Sequence, residues 1–327
     1  MKLASLREGG RDGTLIVVSK DLNRYVKVGE IAETMQLAIE NWEQLSPALK
    51  NVYEDLNQIA ESGAVLTTEE LAAPLPRAYQ WLDGSAYLSH VERVRKARGA
   101  GMPDSFLTDP LMYQGASDDF LGASDPIYAA DVAWGVDFEA EVGIMTDDVP
   151  MGVDRDQAAE HIKLIMLVND VSLRNLIPAE LAKGFGFIHG KPASSFSPVA
   201  VTPDELGTAW QNDKVHLDLV STLNDELFGH PNAGEDMQFD FAQLISHAAK
   251  TRKLSAGTLI GSGTVSNQDL QRGCSCIVER RVLEIIATGE VITPFMQFGD
   301  RIRIAMLDAE GQSVFGAIDQ EVQPWKN

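Results

Sequence analysis

The sequence predicts an α+β protein in which β-strands dominate. Most apolar runs are short and rich in β-branched residues, and helical spacing is confined to a few segments. The two kinds of segment also do not alternate regularly along the chain. A Rossmann fold or an α/β barrel requires that alternation, so the pattern argues against both.

The first elements are a hairpin and a helical region. Residues 13–28 hold two β-rich runs around a turn-like Asp-Leu-Asn, which predicts a hairpin. Residues 33–60 carry apolar side chains at helical spacing. Because proline interrupts a helix interior, Pro47 is predicted to divide this region into two helices.

A domain boundary is predicted after this helical region. Pro74 and Pro76 stand close together in LAAPLPRAY, a composition typical of a boundary. We therefore predict a small N-terminal domain over residues 1–72 and a larger, catalytic domain over residues 73–327.

The larger domain is predicted to be mainly strands, with helices at 154–161 and, after Asp240, at 241–250. Its glycine-rich segment GSGTVSN (261–267) lacks the full spacing of a nucleotide-binding loop, so we interpret it as a tight backbone approach. The predicted strands are Gly135–Thr146, Leu164–Val168, Val215–Leu223, Thr258–Ile260, Val282–Ile286, Asp300–Leu307 and Ser313–Val322.

The composition narrows the function classes. A net charge of −21 disfavours nucleic acid and anionic membranes as partners. The densest basic stretch, residues 93–98, fits a solvated helix face and an anion site equally well. No secretory signal or membrane span is recognisable, so we expect a cytoplasmic protein. Cys274 and Cys276 are interpreted as buried core residues rather than a disulfide.

The most informative segment is Gly135–Ile144, where apolar and acidic residues alternate. In a strand, Asp137, Glu139 and Glu141 share one face, with about 6.5–7 Å between neighbouring positions. Like charges in a row require solvation or neutralisation, and a hard divalent cation prefers carboxylate oxygens. The alternative is an edge strand with an acidic, solvated face, which this pattern alone slightly favours.

Other segments add candidate chemical groups. Asp170 ends an apolar run, Asp83 opens a loop-to-helix transition that carries His90, and Lys191 lies in a loop rich in glycine and aromatic residues. Each has a structural alternative: a turn residue for Asp170, a helix N-cap for Asp83, a surface lysine for Lys191 and a buried structural histidine for His90. Their conjunction favours an active site.

This ordered set resembles the fumarylacetoacetate hydrolase family over roughly residues 75–325. A lone Glu-x-Glu pair is weakly specific, whereas the whole series in this order is strongly specific. The resemblance implies a mixed β-sandwich roll with a small N-terminal domain, and a homodimer. It is carried by Asp83 with His90, Tyr113, Glu139-Ala-Glu141, Asn169-Asp170 with Arg174, Gly190-Lys191, Gly263-Thr264-Val265-Ser266 and Glu279.

The resemblance also implies a role for each residue. Mg²⁺ or Ca²⁺, with Mn²⁺ as the alternative, would be held by Asp83, Glu139, Glu141 and Asp170. His90 and Glu279 would activate water, and Lys191 and Arg174 would stabilise oxyanion charge. The substrate-binding residues would be Tyr113, Thr264 and Arg98.

The implied reaction is hydrolysis of a carbon–carbon bond in a diketo acid. Fumarylacetoacetate, an intermediate of tyrosine catabolism, would yield fumarate and acetoacetate. The segment from Asn175 to Leu181 departs from the family pattern, which leaves the substrate open. Alternatives are an acylpyruvate or fumarylpyruvate hydrolase, a 2-oxo acid hydratase and an oxaloacetate decarboxylase. A metal-binding structural protein is the alternative outside the enzymes.

Overall fold

The computed structural model describes residues 1–59, 62–97 and 101–325. The α-helices are α1 (Met35–Glu40), α2 (Trp42–Gln58), α3 (Leu88–Ala97), α4 (Arg155–Ala159), α5 (Ile177–Leu181), α6 (Phe241–Ala248) and α7 (Ile277–Thr288). The strands are β1 (Lys2–Leu6), β2 (Thr14–Val18), β3 (Arg24–Lys27), β4 (Ala64–Val65), β5 (Trp81–Gly84), β6 (Met112–Gly115), β7 (Ile127–Ala129), β8 (Val136–Asp137), β9 (Ala140–Thr146), β10 (Ile162–Asn169), β11 (Ser172–Leu173), β12 (Ser195–Phe196), β13 (Ala200–Val201), β14 (Trp210–Gln211), β15 (Lys214–Val215), β16 (Leu219–Leu223), β17 (Glu226–Gly229), β18 (Leu259–Gly261), β19 (Arg301–Leu307) and β20 (Ser313–Pro324).

An 11-stranded sheet runs through most of the molecule. Its order is β4-β3-β2-β1-β13-β10-β9-β18-β5-β6, and β12 pairs with β10 beside this path. The four N-terminal strands thus continue the sheet of the larger unit, through the pairing of β1 with β13. The domain boundary between residues 72 and 73 stays a prediction, because the sheet extends across it.

A second sheet of five strands, in the order β17-β16-β19-β20-β7, packs against the first. On β10, Ile165 shares one core cluster with Ile304 of the five-stranded sheet. The neighbouring Leu164 points the other way and shares a second cluster with Met35 and Leu49 of the N-terminal helices. Both faces of β10 are therefore buried, which explains the uninterrupted apolar run from Leu164 to Val168. The predicted fold class, mainly β with helices, is confirmed.

Several predicted elements are confirmed. β2 and β3 form the antiparallel hairpin expected within residues 13–28. Asp154 caps α4 by accepting from the backbone N–H of Gln157. Asp240 and Gln243 form a capping box at the start of α6. Such caps satisfy backbone donors that a helix leaves unpaired in its first turn. No helix among residues 1–59, 62–97 and 101–325 has the length and apolarity to cross a membrane.

The prediction for Pro47 is wrong. The break between α1 and α2 falls at Asn41, whose backbone leaves helical geometry at φ −122° and ψ 32°, and Pro47 lies inside α2. Proline removes only one N–H from the hydrogen-bond ladder. Leu49 and Leu56 of the same helix are buried in the second core cluster. This tertiary packing outweighs the lost hydrogen bond.

The predicted strand Val282–Ile286 is also wrong, because these residues lie in α7. A short apolar run fits a strand and a buried helix face equally well. The deciding contacts come from elsewhere in the chain. Asp137 accepts from the backbone N–H groups of Ile277 (2.7 Å) and Val278 (2.9 Å) and so fixes the start of the helix.

Two other predicted strands are interrupted. Val215–Leu223 is divided into β15 and β16, and Gly135–Thr146 is divided into β8 and β9. At the second break, the N–H of Glu139 donates to Asn169 Oδ1 (3.2 Å) instead of a strand partner. The predicted alternation survives this break, since all five apolar residues from Val136 to Ile144 belong to one core cluster. The edge-strand alternative is wrong, because β9 pairs on both sides with β10 and β18.

Candidate active site

Three buried carboxylates from nearby strands of the main sheet meet at one place. Asp83 lies on β5, Glu141 on β9 and Asp170 directly after β10. One ligand atom from each lies within 4.8 Å of the others. Burial, followed by the charge of Asp170, raises the pKa of Asp83 well above its ordinary value. Burial, followed by the charge of Asp83, does the same to the pKa of Glu141.

Glu141 and Gly261 make this cluster a candidate cation site. Both carboxylate oxygens of Glu141 are buried and have no hydrogen-bond partner among the residues that the structure describes. A Cβ on Gly261, in β18 between the two acids, would lie 2.4 Å from Asp83 Oδ1 and 3.1 Å from Glu141 Oε2. The bare backbone therefore lets two carboxylates converge on one point. Such a group of oxygens fits a hard divalent ion, which would offset the repulsion.

Asp170 is held by three donors. Its Oδ2 accepts from Tyr113 Oη (2.6 Å) and from Lys191 Nζ (2.5 Å), and its Oδ1 accepts from Ser194 Oγ (2.8 Å). Burial and the charge of Asp170 raise the pKa of Tyr113 well above its usual value, so its hydroxyl stays protonated. Burial favours a neutral Lys191, but Asp170 and Glu139 outweigh it and raise the pKa of the ammonium. The surface alternative for Lys191 is wrong, because its side chain is 7% exposed.

Glu139 stands beside the three-carboxylate cluster and is linked to it through Lys191. Its Oε2 accepts from Lys191 Nζ (2.5 Å) and its Oε1 from Arg174 Nη2 (2.6 Å). Burial opposes ionisation of Glu139, but the charges of Arg174 and Lys191 outweigh it and lower its pKa. Arg174 also donates from Nε to Asp137 Oδ2 (2.8 Å). Asp137 thus anchors α7 and Arg174, and its neighbours Glu139 and Glu141 face the site.

His90 and Glu279 form a pair next to the carboxylates. His90, on α3, places Nδ1 2.7 Å from Glu279 Oε2 of α7. Burial works to raise the pKa of Glu279, but its hydrogen bond with His90 and the nearby charges outweigh it and hold the pKa below its ordinary value. The ionised carboxylate can only accept, so neutral His90 carries its proton on Nδ1. Nε2 is then free to act as a base.

The two cysteines are free and buried, as predicted. Cys276 Sγ lies within 4.8 Å of a ring nitrogen of His90 and of a carboxylate oxygen of Glu279. Burial raises the pKa of Cys276 well above its ordinary value and that of Cys274 to about 12. Both therefore stay protonated at neutral pH, a state in which neither is an effective nucleophile or metal ligand.

The loop that leads to Lys191 is organised by a residue for which the sequence suggested no role. Glu180 accepts from the backbone N–H groups of Ile188 (3.0 Å), His189 (2.8 Å) and Gly190 (2.8 Å). It belongs to the segment that departs from the family pattern, which here folds as α5. Its carboxylate takes the place of a strand partner for these three donors and fixes the approach to Lys191.

Thr264 and Arg98 complete the predicted set. Thr264 is buried beside Gly263, whose N–H donates to Asp83 Oδ1 (3.1 Å), so it lies next to the carboxylates. Arg98 lies outside the described residues.

Sequence reasoning missed Arg93, which donates to Glu279 Oε1 and is three residues after His90. Residues three apart share a helix face, and this spacing was the available signal.

Comparison with known proteins supports the same family. Residues 80–323 match the model of the fumarylacetoacetate (FAA) hydrolase C-terminal domain, and residues 1–77 match fumarylacetoacetase N-terminal domain 2. A 2,4-didehydro-3-deoxy-L-rhamnonate hydrolase from a Sphingomonas species is 31% identical over 160 residues, which are 48% of this chain and 53% of that protein. The chain thus spans about half the length of the curated relatives it matches.

Two solved structures share the fold over nearly the whole chain. The fumarylacetoacetate hydrolase from Exiguobacterium antarcticum is 20% identical, with a TM-score of 0.70 over 99% of this chain and 100% of that one. The maleylpyruvate hydrolase from Sphingobium sp. SYK-6, in complex with manganese(II) and pyruvate, is 18% identical, with a TM-score of 0.65 over 100% of both chains. The domain match and these shared folds lead to one conclusion: the chain belongs to the fumarylacetoacetate hydrolase family.

Proposed function

We propose that this protein is a divalent-metal-dependent hydrolase that cleaves a carbon–carbon bond in a diketo acid. The observation that carries the proposal is the proximity of two devices. A carboxylate pocket with the unpartnered Glu141 fits a cation, and the His90–Glu279 pair supplies a base. Glu139 joins the two, because it pairs with Cys276 at the start of α7 and its pKa is lowered by the charge of His90. The hydrolase activities named for the Sphingomonas relative and the Sphingobium neighbour are consistent with this reaction.

Asp83, Glu141 and Asp170 are the residues that would hold the ion, with Glu139 as a fourth carboxylate across Lys191. When bound, Mg²⁺, Ca²⁺ or Mn²⁺ supplies a Lewis acid for the oxygen atoms of a diketo group. The fit depends on Glu141, whose two oxygens have no competing donor within the described part of the chain. Asp170, in contrast, is already oriented by three hydrogen bonds.

The protein's own residues provide the proton transfers. Glu279 keeps the Nδ1 proton of His90 in place, so Nε2 takes a proton from water. The water oxygen bonds to the substrate carbonyl carbon, and the adjacent carbon–carbon bond then breaks. Its electron pair leaves with the departing carbon as an enolate, which receives the proton from His90. Lys191 and Arg174 offer positive charge to the oxygen atoms that become negative during this sequence.

Fumarylacetoacetate is the substrate that we propose to test first, because the family resemblance implies it. A panel should add maleylpyruvate, fumarylpyruvate, acylpyruvates, 2,4-didehydro-3-deoxy-L-rhamnonate and oxaloacetate, each with Mg²⁺ and with chelator. We expect metal-dependent loss of a diketo acid with both cleavage products formed. Decarboxylation of oxaloacetate alone would contradict hydrolysis. Metal-dependent stabilisation without any turnover would favour a non-catalytic metal-binding protein.

Two variants separate the ion site from the base. Glu141→Gln should abolish both turnover and the stabilisation that Mg²⁺ gives in thermal unfolding, because a ligand that binds only the folded state stabilises it. His90→Gln should keep that stabilisation and lose about 100- to 10,000-fold in kcat, the usual contribution of a general base. Loss of Mg²⁺ stabilisation in His90→Gln would make His90 a metal ligand instead.

The remaining expectations concern the oligomeric state, the location and the metal of the protein. A homodimer and a cytoplasmic location stay predictions, as does the choice among Mg²⁺, Ca²⁺ and Mn²⁺. Sedimentation of the purified protein would test the dimer. Turnover across the three metals at matched concentration would test the cofactor.

A further inference from the structure

Arg93 joins three parts of the site that come from distant segments of the chain. From α3, its Nη1 donates to Glu279 Oε1 on α7 and to Ser266 Oγ (3.0 Å). Its Nη2 donates to the carbonyl oxygens of Asn267 (2.6 Å) and Gln268 (3.2 Å). The guanidinium is therefore a clamp between two helices and the loop that also carries Thr264.

The clamp completes the environment of Glu279. Glu279 Oε1 accepts from Arg93 and from Ser266 Oγ (2.8 Å), while Oε2 faces His90. The Glu279 side chain is 0% exposed and the Arg93 side chain 12% exposed. A buried carboxylate needs such partners, because its ionised form loses its hydration. With Oε1 fixed, the carboxylate cannot rotate, and Oε2 remains directed at His90 Nδ1.

Among the described residues, His90 and Arg93 are the basic side chains in contact with Glu279. When His90 is neutral, Arg93 is the positive charge that remains beside the carboxylate. The other groups near His90 are Cys276 at the start of α7, which stays a neutral thiol, and Glu139 in the turn between β8 and β9. Glu139 is already paired with Arg174 and Lys191. The charge balance of the His90–Glu279 pair therefore depends on Arg93.

We propose that Arg93 is a positioning residue for this reaction: by clamping Glu279 it holds His90 in the Nδ1–H tautomer and orients its Nε2. The role in turnover rests on the proposed function, whereas the control of the His90 tautomer does not. Arg93 touches neither water nor substrate in this role. It acts through Glu279, and its loss misplaces the base without removing it.

Arg93→Gln, Arg93→Lys and the control Arg95→Gln test this proposal. Arg95 lies two residues further on the same helix and donates to the carbonyl of Gly101 rather than to Glu279. In Arg93→Gln we expect kcat to fall roughly 100-fold with little change in KM, since a small misplacement of a catalytic group has this effect. Lysine keeps the charge, so Arg93→Lys should recover to within about tenfold of wild type. Arg95→Gln should match wild type.

An activity-independent measurement uses ¹⁵N NMR of the histidine rings, with His90 assigned from His90→Gln. Wild type should show one His90 tautomer, with the proton on Nδ1, and Arg93→Gln should show a mixture. An unchanged tautomer in Arg93→Gln would overturn the proposal, whatever happens to kcat. Should that variant fail to fold, Arg93→Lys decides: a retained tautomer with retained kcat supports the proposal. A 100-fold loss with an unchanged tautomer contradicts it.

These readouts also separate this proposal from the proposed function. If wild type cleaves no diketo acid but Arg93→Gln shows a mixture of His90 tautomers, the hydrolase proposal fails and the positioning role stands. If wild type cleaves a diketo acid and the His90 tautomer is unchanged in Arg93→Gln, only the positioning role fails.

Discussion

At the scale of single residues, the site depends on a glycine as much as on its acidic side chains. Gly261 has no side chain at the place where the carboxylates of Asp83 and Glu141 converge. Its φ is outside the left-handed region, so its backbone would accept alanine. A larger residue would instead meet the two carboxylates and the ring of the buried Trp81, which lies 2.5 Å from the place of the added Cβ.

Gly261→Ala should weaken metal binding, with some loss of stability because the added methyl also meets the buried ring of Trp81. The added methyl would lie 2.4 Å from Asp83 Oδ1, and one carboxylate would have to move away. Because metal ligation depends on geometry, we expect at least about a tenfold loss of Mg²⁺ affinity, comparable to loss of a supporting contact at other metal sites. Titration calorimetry measures the affinity. Gly299→Ala, where nothing lies near the added Cβ, controls for general effects, although its positive φ adds local strain.

The sequence predicted the position of individual side chains only where a regular residue pattern indicated it. The acids at alternate positions from Asp137 in β8 to Glu141 in β9 could be predicted to share a face, and they do. Their different partners could not be predicted, because Asp137 meets the start of α7 and Glu141 meets Asp83 through contacts far apart in sequence. For the same reason, Arg93 could be placed on the face of His90 but not against Glu279.

At the scale of elements, α7 shows how one strand residue decides a helix. The N-cap residue Cys276 makes no side-chain cap, and Asp137 supplies the acceptor from 140 residues away. Local sequence alone favoured a strand for Val282–Ile286, since an apolar run contains no sign of a cap from another segment. Helices that begin at a cap in the local sequence, as at Asp154 and Asp240, were predicted correctly.

Asp137→Asn should destabilise the protein by about 3 kcal/mol. The change replaces the carboxylate oxygen that accepts from Arg174 Nε and from the N–H of Val278 with an NH₂ group, which can only donate. Breaking a buried ion pair costs about this much. Urea unfolding measures the loss. The matched control is Asp154→Asn at the exposed N-cap of α4, where about 1 kcal/mol or less is expected. Equal losses in the two variants would contradict the anchoring role of Asp137.

At the scale of the whole molecule, the main sheet joins segments that no local pattern connects. β1 pairs with β13 through Lys2 and Val201, so the N-terminal strands become part of the sheet that carries the three carboxylates. The sequence predicted β2, β3, β9, β10 and β18 of this sheet but neither β1 nor β13, and strand order depends on which apolar faces meet. Both faces of β10 are buried, so its sequence does not alternate and gave no information on its neighbours.

Lys2 links this shared sheet to the five-stranded sheet and makes stability depend on pH. Its Nζ donates to the carbonyls of Val314 (2.7 Å) and Ser313 (3.3 Å), and the residue is 3% exposed. Burial lowers the pKa of Lys2 to about 8, against 10.5 ordinarily, although Glu205 works in the opposite direction. The folded protein therefore releases this proton at a lower pH than the unfolded chain does.

The sign of the effect follows from proton binding. Between pH 8 and 10.5 the unfolded chain holds a proton that folded Lys2 has lost, so the contribution of Lys2 to the free energy of unfolding rises with pH. Below pH 8 the buried ammonium costs roughly 3 kcal/mol, and this cost disappears by pH 10.5. Lys2→Met lacks the titrating group. Relative to this variant, wild type should gain roughly 3 kcal/mol between pH 7 and 10.5 in urea unfolding. Parallel pH curves for the two proteins would show that folding leaves the Lys2 ammonium as well solvated as it is in the unfolded chain.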